Sequence, residues 1–262
     1  MPNPITTHGF TSVPASATTL LTSTPAYPAP TSQPSPIPVT STPIPNTPLA
    51  QRINSYAKAR LPEPTYNHSL RVYHFGLAIK QYRFAAQADW QFSDETYFLA
   101  CVLHDIGTTE ENITATHLSF EFFGGLLAMD VLQKNPNDNV GGDGGNGQGG
   151  APAGVASRDQ AESVVEAIIR HQDLCEVGKI TALGQLLQLA TIFDNTGTYA
   201  DLVHRDTIKD VCAHFPRHHW SNCFAATIRR ENGLKPWAHT TALGEEAFPA
   251  KVLANTLMEP YE

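Results

Sequence analysis

From residue 47 onward, helix caps and apolar residues at helical spacing follow one another almost without interruption, and this punctuation confines the chain to an all-α fold. Thr47 followed by Pro48 reads as a cap and a first helical residue, with Ile53, Tyr56 and Ala57 next on one side. LPEPTYN ends that helix, and a second, over about His68 to Gln87, carries Leu70, Tyr73, Leu77 and Tyr82. Ser93 caps a third that runs to about His104. Its stretch Tyr97 to Leu103 is nearly all apolar, which predicts a helix buried on most sides and ended by Gly107. A fourth, about Thr116 to Lys134, contains FEFFGGLLAMDVL. SRDQ at 157 to 160 matches a capping box and opens a fifth helix, with Val164, Val165, Ile168 and Ile169 on one face and His171 at its end. A sixth spans about Lys179 to Asn195 and is stopped by Gly197. Shorter helices close the chain around Thr207 to His214, Ser221 to Arg230 and Ala247 to Met258.

Two regions fall outside this pattern. Residues 1–46 are rich in Pro, Ser and Thr, and no Lys, Arg, Asp or Glu precedes Arg52. Such a segment buries little apolar surface against its ordering entropy and is expected to be disordered. The Gly-rich stretch 135–156 is expected to be a flexible surface loop interrupting the helical domain 47–262. The tail has neither the basic start and apolar run of a secretory signal nor the arginines of a mitochondrial presequence. No apolar run reaches the roughly 18 residues of a membrane helix. A cytoplasmic protein is expected, with a nuclear location also compatible, and Cys101, Cys175, Cys212 and Cys223 are read as reduced thiols because no CxxC spacing pairs them. The net charge of −8 argues against a nucleic-acid partner, which would call for basic patches.

Four potential metal ligands fall at helix ends in this scheme: His68, His104, Asp105 and Asp194. Adjacent side chains diverge by about 100° on a helix, so His104 and Asp105 can share an ion only at a terminus, where Gly107 eases the turn. Two imidazoles and two carboxylates suit Zn²⁺, Fe²⁺ or Mn²⁺.

YNHSLRVYHFG, LHDIGTTEEN, EAIIRHQD and LATIFDNTG together resemble the H...HD...D signature of the HD superfamily of metal-dependent hydrolases. More narrowly, YNHSLRVYHFG with HDIGTTEEN and SFEFFGG is similar to the fungal cyanamide hydratases, over about residues 48 to 258. The resemblance implies an HD-type helical bundle that hydrates the nitrile of cyanamide to urea by attack of a metal-bound hydroxide. It implies zinc on His68, His104, Asp105 and Asp194, and it alone points to a homo-oligomer. His171 falls where many HD proteins carry a further pocket histidine; the alternative is a helix C-terminal histidine favoured by the helix dipole. Glu111 and Asn112, with Glu110, follow the signature as candidates to orient water or substrate, or else form an acidic solvated turn. His74, His117, His204, His214, His218 and His219 are read as structural or surface residues.

Two other functions stand beside hydration. One is an HD-type phosphohydrolase, disfavoured because no Lys or Arg lies between Arg83 and Lys134, although Arg71 and Arg170 could face the site. The other is a non-catalytic scaffold whose proline-rich tail docks partners.

Overall fold

The computed structural model describes residues 3–22, 30, 32–135 and 153–262. The described elements run α1 (Pro4–Thr7), β1 (Ser12–Pro14), α2 (Ala17–Thr22), α3 (Pro48–Arg60), α4 (Glu63–Phe84), α5 (Asp94–Leu103), α6 (Glu110–Thr114), α7 (Phe120–Gln133), α8 (Arg158–Ile169), β2 (Lys179–Thr181), α9 (Ala182–Thr196), α10 (Arg205–His214), α11 (Trp220–Leu234) and α12 (Ala247–Leu253). The fold is all-α, as the spacing of caps and apolar residues requires. Among the described residues β-structure is limited to the short antiparallel pair β1 and β2, with Val13 opposite Ile180. None of the described helices is long and apolar enough to cross a membrane. The four cysteines are unpaired.

Helix α4 is the axis of the fold. It packs against α5, α9, α10 and α11, while α8 lies between α5, α7 and α9. The chain enters α4 through Pro62 and Glu63, and Pro64 sits in the first turn, where its missing N–H costs nothing. The helix therefore starts five residues before the expected position, and His68 lies inside its second turn rather than at its end. Burial on every side of its middle, including Val72, Phe75 and Ile79, blurs the amphipathic stripe that marks surface helices. Close approach of α4 and α5 depends on Gly76, since a Cβ there would lie 1.8 Å from the Tyr97 hydroxyl oxygen. That hydroxyl donates to the Val72 carbonyl at 3.1 Å.

The caps read from sequence are in place at Thr47, Ser93 and Ser157, whose side chains accept from Ala50, Thr96 and Gln160 N–H groups. Helix α9 begins at Ala182 because Lys179–Thr181 pairs as β2 and Thr181 caps the helix; it ends at Gly197 in the left-handed region, φ +67°.

Described parts of the N-terminal segment, expected to be disordered, are packed against the helical domain. Val13 and Leu20 are fully buried in the main core. Backbone hydrogen bonds also tie described parts of it to the helical domain: Ala15 N–H donates to Gly178 O at 3.1 Å, Ala182 N–H to Thr11 O at 2.8 Å, and Ile37 N–H to the Thr207 hydroxyl at 2.7 Å. A segment without charges has none to desolvate, so a few apolar anchors plus paired backbone groups suffice to hold it. Residues 1, 2, 23–29 and 31, and positions 136–152 of the expected Gly-rich loop, lie outside the described residues.

Candidate metal centre

Two helices, α4 and the end of α5, meet at one buried point. His68 comes from the second turn of α4, His104 is the C-terminal cap of α5, and Asp105 (φ −100°, ψ 10°) turns the chain out of that helix. All three are at most 1% exposed. Their ligand atoms lie within 4.8 Å of one another. The two Nε2 atoms are 3.3 Å apart, and Asp105 Oδ2 stands 3.3 Å from that of His104 and 3.8 Å from that of His68.

The hydrogen-bond partners of the two rings fix which nitrogens face one another. His104 Nδ1 is 2.7 Å from the Cys101 carbonyl, which can only accept, so Nδ1 carries the hydrogen. His68 Nδ1 is 2.6 Å from Asp194 Oδ2. Burial acts against the Asp194 charge, but Arg71 and Arg217 hold its carboxyl far below the usual range, so it too accepts. Both Nε2 atoms then present lone pairs toward each other. Both oxygens of Asp105 are buried without a hydrogen-bond partner. Converging lone pairs beside an orphaned carboxylate fit a cation, and separations near 3.3 Å are those of atoms about 2 Å from one shared ion. Burial takes His68 down to about 4. Burial also works against a charge on His104, but the neighbouring Asp105 carboxylate outweighs it and raises that histidine.

Asp194 stands apart from this trio. The resemblance implies a fourth ligand at this position, but the carboxylate sits at Nδ1 of His68, on the far edge of the ring from Nε2. Its Oδ1 accepts from Arg217 at 2.7 Å and Arg71 Nε at 3.1 Å, and its Oδ2 accepts from Arg71 at 3.0 Å as well as from His68. A carboxylate so fully engaged orients His68 and keeps its Nε2 unprotonated. Trp220 stacks on the same imidazole at 4.2 Å between centroids and donates to Asn195 at 2.7 Å.

His171 joins the site. It is 3% exposed, sits edge-on to His104 at 5.2 Å and holds the Ile168 carbonyl at 2.6 Å through Nδ1. Burial, then the neighbouring His104, lowers its pKa, so it is neutral at pH 7. His104, Asp105 and His171 line a cavity of about 10 Å³ with Asn195, Phe224 and Phe248. Glu111 and Asn112 are not brought there. Glu111 is exposed in the first turn of α6, where acids complement the helix N-terminus, and Asn112 braces the preceding turn by donating to Ile106 O at 2.7 Å. Glu110 pairs with Arg230 at the surface. His74 is a buried structural residue on Thr42, while His117, His204, His214, His218 and His219 lie at or near the surface.

Sequence reasoning missed Arg217, Trp220 and a bridge made by His239. The His239 ring reaches fully buried Glu121 on α7 at 2.7 Å and Asp173, two residues past His171, at 3.1 Å. The hydrogen bond to Glu121 raises its pKa. Arg71, named in the sequence analysis as able to face the site, lies one turn from His68 on the same helix face and binds Asp194. Nothing around Arg217 or His239 marks them in the sequence.

The fold and this cluster define an all-α protein with a buried His/His/Asp group that could hold a metal ion. No family model matches the chain. It is 42% identical over 214 residues to the cyanamide hydratases DDI2 and DDI3 of Saccharomyces cerevisiae, covering 82% of this chain and 85% of each relative. The chain belongs to the cyanamide hydratase family and is an enzyme of that kind.

Proposed function

We propose that this enzyme adds water to the nitrile of cyanamide to give urea, with a divalent ion, zinc in first place and Fe²⁺ or Mn²⁺ as alternatives, on His68, His104 and Asp105. The observation that carries the activity is the 42% identity to curated cyanamide hydratases across four-fifths of the chain. An ion on that trio would act as a Lewis acid and bring the pKa of a bound water from 15.7 to about 7. The protein does the rest. Addition forms a carbon–oxygen bond and breaks one π bond of the nitrile, whose nitrogen must gain a proton; the isourea formed then tautomerises to urea. In this reading neutral His171, oriented by Ile168 and by the edge of Phe120, takes a proton from water and returns it to that nitrogen. Phe224 and Phe248 keep the cavity apolar, and Asn195 offers a polar contact for the substrate amine. In this reading His68, His104 and Asp105 supply the H and HD part of the HD-type signature, while Asp194 holds His68 from behind instead of binding the ion.

Phosphate transfer is disfavoured by where the cations point. Arg71 and Arg217 spend their donors on Asp194, the Phe215 and Pro216 carbonyls, Ser221 and Glu262. Arg170 is engaged at the surface with Glu166 and Asp173. Urea formation from cyanamide should be compared between wild type and Asp105→Ala, with metal analysis and a nucleoside monophosphate panel alongside. Loss of metal and activity together is expected. Retained activity in the variant, or phosphate release without urea, would overturn the reading; a wild type without stoichiometric metal or activity would favour a scaffold.

A further inference from the structure

The cavity beside the trio, at about 10 Å³, holds one water-sized occupant. Cyanamide has three non-hydrogen atoms, so it needs a way in and more room than the chamber offers at rest. Across one wall lies a second cavity of about 190 Å³, lined by Ala15 and Thr18 of the N-terminal segment, by Cys175 and Glu176 of the loop after α8, and by Gln185 and Gln188 of α9. Two side chains, Leu174 and Ile192, line both cavities. We infer that the outer cavity is the anteroom through which a small uncharged nitrile reaches the site, and that Leu174 against Ile192 is the gate that limits its size. The inference rests on the hydration reading above.

The two gate residues are unequally free. Ile192 is 7% exposed on α9, whereas Leu174 is 40% exposed. The loop bearing Leu174 is pinned on either side of it. Asp173 is held by Arg170 at 3.0 Å and His239 at 3.1 Å, and its carbonyl accepts from Gln188 at 2.9 Å; Glu176 accepts from Ser16 at 2.9 Å. Between these anchors a rotamer change of Leu174 opens the wall without moving the backbone, a motion that exposed side chains make within nanoseconds. The anteroom lining is mainly amide, hydroxyl and methyl groups, with one acid and one base, Glu176 and Lys251. That mixture suits a polar neutral molecule better than an anion. The N-terminal segment thereby gains a role, since its residues form the outer wall.

The test uses the full-length holoenzyme with Leu174→Ala and Leu174→Trp, cyanamide and the bulkier dimethylcyanamide as substrates, and the rate at which a bulky chelator strips the metal. Leu174→Ala should raise kcat/KM for dimethylcyanamide relative to cyanamide by about tenfold or more, and Leu174→Trp should lower kcat/KM for cyanamide by a similar factor with metal content intact. Metal loss should be faster in the first variant and slower in the second. Unchanged size selectivity and unchanged stripping rates would place the route elsewhere and overturn the proposal. A wild type that binds metal but makes no urea sinks the hydration reading while the stripping rates still decide the gate; one that does neither sinks both.

Discussion

Replacing Asp194 with Asn separates a residue that orients His68 from one that holds an ion itself. The side chain is fully buried and faces Arg71 and Arg217, both also fully buried. Removing one partner of a buried ion pair costs about 3–5 kcal/mol because the other charge stays desolvated. The lower end applies, since Arg217 keeps Glu262 at 2.9 Å and Arg71 keeps two backbone carbonyls. An asparagine cannot accept from His68 without aiming its amide hydrogens at a guanidinium, so one contact is lost whichever way it turns. At about 2–4 °C per kcal/mol for a chain of this size, a melting temperature lower by roughly 6–12 °C is expected. Thermal and guanidinium unfolding with and without chelator measures this, and Arg71→Met in the same background should recover part of the loss, giving a coupling energy of about 1–3 kcal/mol. Metal binding should weaken by about 10–100-fold yet reach one equivalent at saturation. Stability within about 1 kcal/mol of wild type, or metal loss as complete as in Asp105→Ala, would refute this account and return Asp194 to the ion.

Gly76→Ala should destabilise by more than the usual overpacking cost of about 1–3 kcal/mol, read by thermal melting, because its Cβ would overlap the Tyr97 ring and hydroxyl. Leu20→Ala should cost about 2 kcal/mol or more in guanidinium unfolding, whereas a disordered tail would lose nothing. Burial, then Glu121, lifts Glu231 from 4.5 to about 7. The folded protein therefore binds the extra proton between those values, and its contribution is fully present below about 4.5 and lost as pH rises through about 7. On that shift, Glu231→Gln should be more stable than wild type at pH 8 by up to about 3 kcal/mol, with the difference fading toward pH 5; equal melting curves at pH 8 would exclude it.

Local signals carried most of the secondary structure. Thr47, Ser93, Ser157 and Gly197 mark their helix ends because capping is chemistry between neighbours three or four residues apart. The start of α4 was missed by five residues, since Pro64 looks like a breaker unless one knows that it lies in the first turn. Acidic residues after the His104-Asp105 pair looked catalytic by adjacency, but α6 turns Glu111 to solvent.

The chain's order of residues was enough to determine an all-α protein, a family resemblance and the pair His104-Asp105 with His68 beside it, because caps, spacing and motif are written over short distances. Tertiary structure alone decided which nitrogen of His68 faces His104 and Asp105, that Asp194 backs that ring between Arg71 and Arg217, and that β1 of the uncharged N-terminal segment pairs with β2. Those outcomes depend on groups more than a hundred residues apart being desolvated together, and the energy of a buried charge or an unpaired N–H is set by its neighbours in space.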